Sequence, residues 1–414
     1  MNINSEFNLN LLSQFIIDNL PFPLSLLPDN CYLVGGAVRD VLLNRKRDYI
    51  DLDFVVPHNA IKLAKKIANL YHAGFVVLDF DRNIARVVFP HGTIDLANQE
   101  GDSIYTDLAR RDYTINSIAY SCKDNEIIDP FEGQKDIKEG IMRMISCKNL
   151  EDDPLRLLRA YRQGCQLNFT IEDKTRSTIQ ELASQLTTVA PERVNTELGY
   201  MFAHERGSYW LISAFEDGLL SIRHPYLTAD KINYLPLIDN ASQWLKAKGC
   251  QFESITPSYL QNVKLACFTD NNPENAEKEL INLKYSRQDI KTVTTILKYT
   301  PHLLKHNFAS DLTQQYFFFR GVGDIFPLLA IFAYAHSIDE NLIIMLLDRY
   351  GDDNDIVAHS EPLLSGKEIM EAFNIPPSPL IGKLLTDIQI AYIHGEINDK
   401  NSALQWIYKN LIKT

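Results

Sequence analysis

Residues Tyr32 to Val56 read YLVGGAVRDVLLNRKRDYIDLDFVV, and the rest of the chain is best understood outward from them. An apolar run, Cys31 to Val34, leads into the pair Gly35-Gly36. A helix-like segment follows, with Arg39 and Asp40 near its start, and then an alternating run from Ile50 to Val56. The order is strand, glycine turn, helix, strand. Asp51 and Asp53 are two residues apart in the second strand, and strand side chains alternate, so both carboxylates leave the same face. Two acids side by side repel each other and are costly without a cation. A pair of magnesium ions bridged by such acids is what in-line phosphoryl or nucleotidyl transfer requires. An isolated Asp-x-Asp is ordinarily a solvated strand edge. Here the glycine turn upstream shifts the reading, because glycines let backbone N–H groups approach a phosphate and a helix start adds partial positive charge.

A chain of 414 residues is too long for one ordinary core and predicts two to four domains or subdomains. Hydrophobic residues at 45% and charged residues at 23% are those of a soluble globular protein. No apolar run approaches a membrane span, and the start, MNINSEFNLN, lacks the basic and apolar regions of a signal peptide, so the cytoplasm is the expected location. The cysteines at 31, 122, 147, 165, 250 and 267 form no C-x-x-C pair and have no histidine partner at zinc spacing, which predicts buried free thiols. A formal net charge of -12 argues against nonspecific coating of nucleic acid. Cations nevertheless crowd residues 135 to 176, from Lys135 through Arg143, Lys148 and Arg162 to Arg176, and RNA contact is expected there.

In chain order, Leu9 to Leu20 is an amphipathic helix candidate and Pro21, Pro23 and Pro28 break the link behind it. Asn59 to Tyr71 has helical periodicity, with Ile61, Leu63, Ala64, Ile67 and Ala68 opposite Lys62, Lys65 and Lys66. Three β-like runs follow at 75–79, 84–89 and 93–97. Asp95 lies in the third. It either joins the acid pair, to deprotonate a hydroxyl or hold a metal, or stands exposed at a strand end.

Gly35-Gly36-x-x-Arg39-Asp40 followed by Asp51-x-Asp53 resembles motif A of the class II tRNA nucleotidyltransferase and bacterial poly(A) polymerase family, a branch of the polymerase-beta-like nucleotidyltransferases. The resemblance is dense over residues 31–200, recognisable over 361–407 and faint between. It implies an α/β nucleotidyltransferase head, a mixed sheet with helices, followed by all-α neck, body and tail domains. The expected boundaries are 1–129 for the head, 130–200 for the neck with its base template, 201–330 for the body and 331–414 for a tRNA-binding tail. Asp51 and Asp53 would be the catalytic metal ligands for Mg2+, with Asp95 a further catalytic acid. Gly35, Gly36 and Arg39 would hold the nucleotide.

Ala109 to Tyr120, ARRDYTINSIAY, resembles motif B, which in the family opens a helix lining the nucleotide site. There Arg111 would contact the nucleotide, and Asp112 and Asn116 would select the sugar; the plainer alternative has Asp112 capping a helix and Arg111 in solvent. Asp129-Pro130-Phe131-Glu132-Gly133 resembles motif C, a hinge in which Pro130 and Gly133 supply a turn. Leu150 to Gln163, LEDDPLRLLRAYRQ, places Arg156, Arg159 and Arg162 along one side of a helix and resembles motif D, the base-reading template. The family pattern Glu-Asp-x-x-Arg fits from Asp152, with Asp in place of the usual Glu. That frame makes Asp153 and Arg156 the pair that reads the edge shared by C and A, with Arg159 and Arg162 completing the nucleotide wall. Pro191-Glu192-Arg193 with Glu197-Leu198 resembles motif E, a helix-bracing ion-pair element. In the tail, a helix beginning near Ile381 would place Gly382 and Lys383 in its first turn, where Lys383 either grips an RNA phosphate or belongs to an ordinary helix pair.

The resemblance implies template-independent addition of C and/or A to tRNA 3' ends from CTP or ATP. Members that add all of CCA carry a flexible loop between motifs A and B. Here only fourteen residues, Leu96 to Ala109, separate Asp95 from Arg110, which is short for such a loop and suits CC addition alone, although some short-looped members of the family add A. The rival enzymatic reading is a poly(A) polymerase acting on general RNA ends, and the rival of another class is a noncatalytic RNA-binding relative.

Overall fold

The strand, turn, helix and strand expected from the opening stretch form β1 (Tyr32–Val34), α2 (Gly36–Leu42) and β2 (Ile50–Val56), behind an N-terminal helix α1 (Ile3–Asn19). The protein is seen here as a computed structural model, which describes residues 3–45, 49–248 and 259–411. Next come α3 (Ala60–Tyr71), β3 (Gly74–Asp79), β4 (Ile84–Phe89), β5 (Gly92–Asn98), α4 (Ile104–Ala109), β6 (Ala119–Ser121) and β7 (Glu126–Ile128). These strands make one seven-stranded sheet in the order β3-β4-β5-β2-β1-β6-β7. β2 and β5 pair in parallel and the other pairs are antiparallel, so the sheet is mixed, as expected.

Period two decides which side of β2 meets the core. Leu52, Phe54 and Val56 are buried, while Asp51 is exposed and Asp53 half-buried on the opposite face. Behind the sheet, α3 buries Ala60, Ala64, Ile67 and Ala68 and leaves its lysines in solvent. Its first N–H groups are satisfied from outside the helix, by the side-chain carbonyls of Asn98 on Ala60 and of Asn83 on Ile61. Val34, Val55, Ile104, Leu108 and Ala119 form a further apolar cluster where α4 packs on the sheet.

From α5 (Gly133–Glu139) onward helices dominate, apart from a short parallel pair, β8 (Ile141–Met142) with β9 (Thr170–Ile171). α6 (Cys147–Asp152) leads through Asp153 and Pro154 into α7 (Leu155–Leu167), whose Leu155, Leu157, Leu158, Ala160 and Tyr161 are buried. α8 (Asp173–Leu182) and α9 (Pro191–Phe202) follow. The chain divides into two compact units, Met1–Glu197 with Glu216–Leu219 and Leu198–Phe215 with Leu220–Thr414. The first unit thus holds the sheet and the helices through α8, and a short later segment returns to it. Asp217 fastens that segment, accepting hydrogen bonds from Tyr161 (2.5 Å), Arg176 (2.7 Å) and Gln180 (2.6 Å).

In the second unit, the described residues outside loops and turns are helical. Its end has its own core, with Ile369, Ile381, Leu384, Ile388, Ala403 and Ile407 contributed by helices Gly366–Phe373, Pro379–Ile393 and Lys400–Leu411. One stretch corrects the reading of apolar runs. Leu312–Ala335 is long and apolar enough to cross a membrane, although 67% of its apolar window is buried inside the protein. A 3-10 turn at Gly323–Ile325 interrupts it, as befits a core element. Five described cysteines are free thiols, of which Cys31, Cys165 and Cys267 are buried but Cys147 is exposed. Cys250 lies outside the described residues.

Candidate active site

The β2–β5 register sets Asp53 opposite Asp95 and Asp51 opposite Thr93, so three carboxylates share one face of two adjacent strands. They are not equivalent. Asp51 accepts a 2.7 Å hydrogen bond from the Thr93 hydroxyl. Asp95 is held by a two-point fork from Arg86, at 2.7 and 2.8 Å, which its register partner position on β4 makes available. The Asp53 carboxylate has no hydrogen-bond partner among the described residues. Burial, then the charges of Asp51 and Asp95, push its carboxyl up to about 7, with Arg111 and Arg86 pulling the other way.

Above this acid sits the glycine turn. Gly35 has φ +71°, and a Cβ built there would lie 3.1 Å from Nη1 of Arg111 and 3.7 Å from a carboxylate oxygen of Asp53. A side chain at Gly35 would therefore be strained and would occupy the space between the cation and the acid. Arg111 itself is pinned by the buried Asp107, at 3.2 Å, and by the Asn116 carbonyl, at 3.5 Å. Gly35, Asp51, Asp53, Asp95 and Arg111 therefore form one locus, with Gly36 opening α2 beside it.

A second group of expected residues forms a buried network. Arg39 is 7% exposed and donates to Asp40 (2.9 and 3.0 Å), to Asn116 (2.7 Å) and to Gln163 (3.2 Å). Asp112 accepts from the Tyr113 amide (2.9 Å), Asn116 (2.9 Å) and Arg159 (2.9 Å). Burial alone would raise its pKa, but Arg159 and these hydrogen bonds hold it well below the usual carboxylate range. Arg39, Asp112 and Asn116 are thus braces between the glycine-turn helix and α7, each less than a tenth exposed. Motif B also differs from its expected form. Thr114–Asn116 is one 3-10 turn that runs on into β6, because the apolar residues behind it complete the sheet.

On α7, Arg159 continues from Asp112 toward Glu197 (3.9 Å), and Arg162 pairs with Glu197 and bonds Gln166 at 2.7 Å. Arg156 points Nη1 at the carbonyls of Arg110 (2.7 Å) and Asn149 (2.9 Å). Asp153 instead meets Arg193, at 3.0 and 3.2 Å. The structure therefore does not bring Asp153 and Arg156 together as a pair of side chains. It also shows what replaces the family's Glu: Asp152 turns to Lys148 at 2.8 Å, and backbone carbonyls orient Arg156. Much of the basic run from 135 to 176 is spent on such pairs, including Lys135 with Glu132, Arg143 with Asp136 and Glu172, and Arg176 with Asp217. Lys383 is exposed, but its helix begins at Pro379, with the Ile381 N–H donating to the Ser378 carbonyl at 3.1 Å, so Lys383 lies beyond the turn that opens the helix.

Three residues outside the sequence reading matter here. Arg86 and Thr93 fix two of the acids, and Gln163 joins Arg39 to Asn116 at 2.9 Å. A lone arginine within the apolar strand IARVVF was the available signal for Arg86. Gln163, four residues after Arg159, was visible only as one more polar position on the helix.

Among the described residues no three His, Cys, Asp or Glu side chains form a metal-holding group, and Arg86 engages Asp95. The remaining pair still fits a hard divalent cation. Both offer carboxylate oxygen, and Asp53 combines a raised pKa with no neutralising hydrogen bond.

The glycine turn over paired acids, on a mixed sheet followed by a helical region, is the plan of a nucleotidyltransferase. Residues 31–143 match the family model described as poly A polymerase head domain, and residues 255–407 match that for tRNA nucleotidyltransferase domain 2. A CC-adding tRNA nucleotidyltransferase of Synechocystis sp. is 44% identical over 94% of this chain and 95% of its own. A CC-adding tRNA nucleotidyltransferase of Geobacter sulfurreducens is 27% identical over 92% of each. The solved CCA-adding enzyme of Thermotoga maritima in complex with tRNA has the same fold, with TM-score 0.69 and 23% identity over 99% of this chain and 96% of that one. The chain belongs to the class II tRNA nucleotidyltransferase and poly(A) polymerase family.

Proposed function

We propose that this protein is an RNA nucleotidyltransferase that extends tRNA 3' ends with C and/or A, without a template, from CTP or ATP. The observation that carries the reading is the Asp51–Asp53 pair beneath Gly35 and beside Arg111. In each cycle the RNA 3' oxygen forms a bond to the α-phosphorus, the bond from that phosphorus to the bridging oxygen breaks, and pyrophosphate leaves as the hydroxyl proton is lost.

Asp51 and Asp53 would hold Mg2+, which when bound supplies charge stabilisation at the triphosphate oxygens. Thr93 keeps Asp51 oriented, and Arg86 neutralises Asp95 so that the acid face does not repel an incoming triphosphate. Arg111, 22% exposed and aimed by Asp107, would offer its guanidinium to phosphate oxygens, with the Gly35 turn leaving room for them. The network of Arg39, Asp112, Asn116, Arg159 and Gln163 holds α7 against the head, and Asp153, Arg156 and Arg162 would shape the nucleotide wall from α7 and its N-terminal approach. Asp153 would read a base after exchanging its Arg193 contact. Lys383 would contact the RNA backbone by charge alone.

We further infer that addition stops after two C residues. The link from β5 to α4 is only residues 99–103, so no long loop intervenes, and relatives described as CC-adding support the reading. The division into head, neck, body and tail at 129, 200 and 330 and a cytoplasmic location belong to the same reading.

The test is incorporation with transcripts ending at the discriminator base, at C and at CC, given CTP, ATP or both and resolved at single nucleotides. Two C additions and a stop are expected. Full CCA would refute CC specificity, and long A tails on unrelated RNA would make the protein a poly(A) polymerase.

A further inference from the structure

The two acids of the pair have different surroundings. Gly35 and Arg111 border Asp53. Asp51 instead forms part of the wall of a cleft of about 410 Å³ between α1 and α2. The other walls are mainly apolar: Leu11 and Phe15 on α1, Ala37 and Val41 on α2, and Tyr49 just before β2. Its volume lies within the range of small-ligand sites, roughly 300–1,000 Å³.

Attacking and leaving oxygens lie roughly in line across the transferred phosphorus, so the RNA 3' oxygen and the departing pyrophosphate lie on opposite sides of it. The cationic and glycine side of Asp53 suits the triphosphate. The apolar side at Asp51 therefore falls to the acceptor. We propose that the α1–α2 cleft receives the terminal nucleoside of the RNA strand being extended, with its base against Phe15 and Tyr49 and its 3' hydroxyl toward Asp51. The chemistry suits a nucleoside end: aromatic side chains accept any base face. Asn44 and Gln14 add amide groups to the lining, beside the carboxylates of Asp18 and Asp40, and Arg45, with its side chain 42% exposed and 4.0 Å from Asp40, supplies a cation for the phosphate behind the terminal nucleoside. This inference rests on the proposed polymerising activity, and it gives α1 a role beyond packing.

The test uses the full-length protein and a tRNA transcript whose 3'-terminal base is 4-thiouridine. Ultraviolet crosslinking followed by peptide mapping should place the adduct on Phe15, Tyr49 or their immediate neighbours. In parallel, Leu11→Trp, which fills the cleft, and Phe15→Ala, which removes a base contact, should each raise KM for tRNA roughly tenfold and leave KM for CTP within about twofold. An adduct mapped outside the cleft would overturn the inference. So would folded variants whose KM for tRNA is unmoved, or whose two KM values rise together. An adduct in the cleft supports it even if a variant folds poorly. Failure of the unmodified protein to incorporate any nucleotide would instead remove the parent reading and this one with it.

Discussion

Asp53 is an acid that folding makes harder to ionise. Its carboxyl is raised from 3.8 to about 7, so between about pH 4 and 7 the folded chain retains a proton that the unfolded chain has lost. Stability from this group consequently falls as pH rises through that window. Asp53→Asn should stabilise the metal-free protein at pH 8 by about 1–2 kcal/mol, discounted because the group is only half-buried. Mg2+ should raise the melting temperature of the parent and have little effect on the variant, as measured by calorimetry. Asp112 is the opposite case. Held ionised by Arg159 against the cost of burial, it contributes stability above about pH 4 that is lost as pH falls further. Asp112→Ala would leave Arg159 without its 2.9 Å partner and should cost about 3–5 kcal/mol in urea unfolding. The sequence made the acids legible because alternation along a strand fixes their face. It could not reveal that Arg39, Asp112 and Asn116 are buried, since that depends on α7 supplying Gln163 and Arg159 from far along the chain.

At the scale of elements, the opening strand, turn, helix and strand were readable because each has a local cause. The helix that the resemblance implies for motif B is instead the 3-10 turn Thr114–Asn116, after which Ala119–Ser121 pairs with β1 and β7. The hinge at Gly133 was also only partly legible. Its glycine was assigned to a turn, yet a Cβ there would lie 2.3 Å from the Thr114 carbonyl oxygen and 2.8 Å from Ile118, so close packing demands it too. Gly133→Ala should displace the 114–116 turn, costing about 1–3 kcal/mol by denaturant unfolding. Incorporation should fall as well, because Asn116 sits in that turn and bonds Arg39. Asp95 shows a further limit of sequence reading. Its strand was predicted and its place beside the acid pair was one of two alternatives, but Arg86, which reaches it through the antiparallel register of β4 with β5, was not foreseen.

At the scale of the whole molecule, an α/β head followed by helices was legible from periodicity and motif order. The division into units was not. Residues 216–219 return to the first unit because Asp217 collects bonds from Tyr161, Arg176 and Gln180, and no local pattern announces such a long-range tie. Asp217→Ala would strand those donors, and the first unit should lose about 2–4 kcal/mol, seen as earlier loss of hydrogen-exchange protection in α7 and α8.

The central claim is that Asp51 and Asp53 carry nucleotide transfer to an RNA end. Its most direct test is the rate of labelled CTP incorporation into a tRNA transcript ending at the discriminator base, compared among the parent, Asp51→Ala and Asp53→Ala at saturating Mg2+. Both substitutions should lower the rate by about a thousandfold or more, on the scale of removing charge stabilisation from the reacting centre, while circular dichroism stays that of the parent. Incorporation within tenfold of the parent by either folded variant would contradict the account.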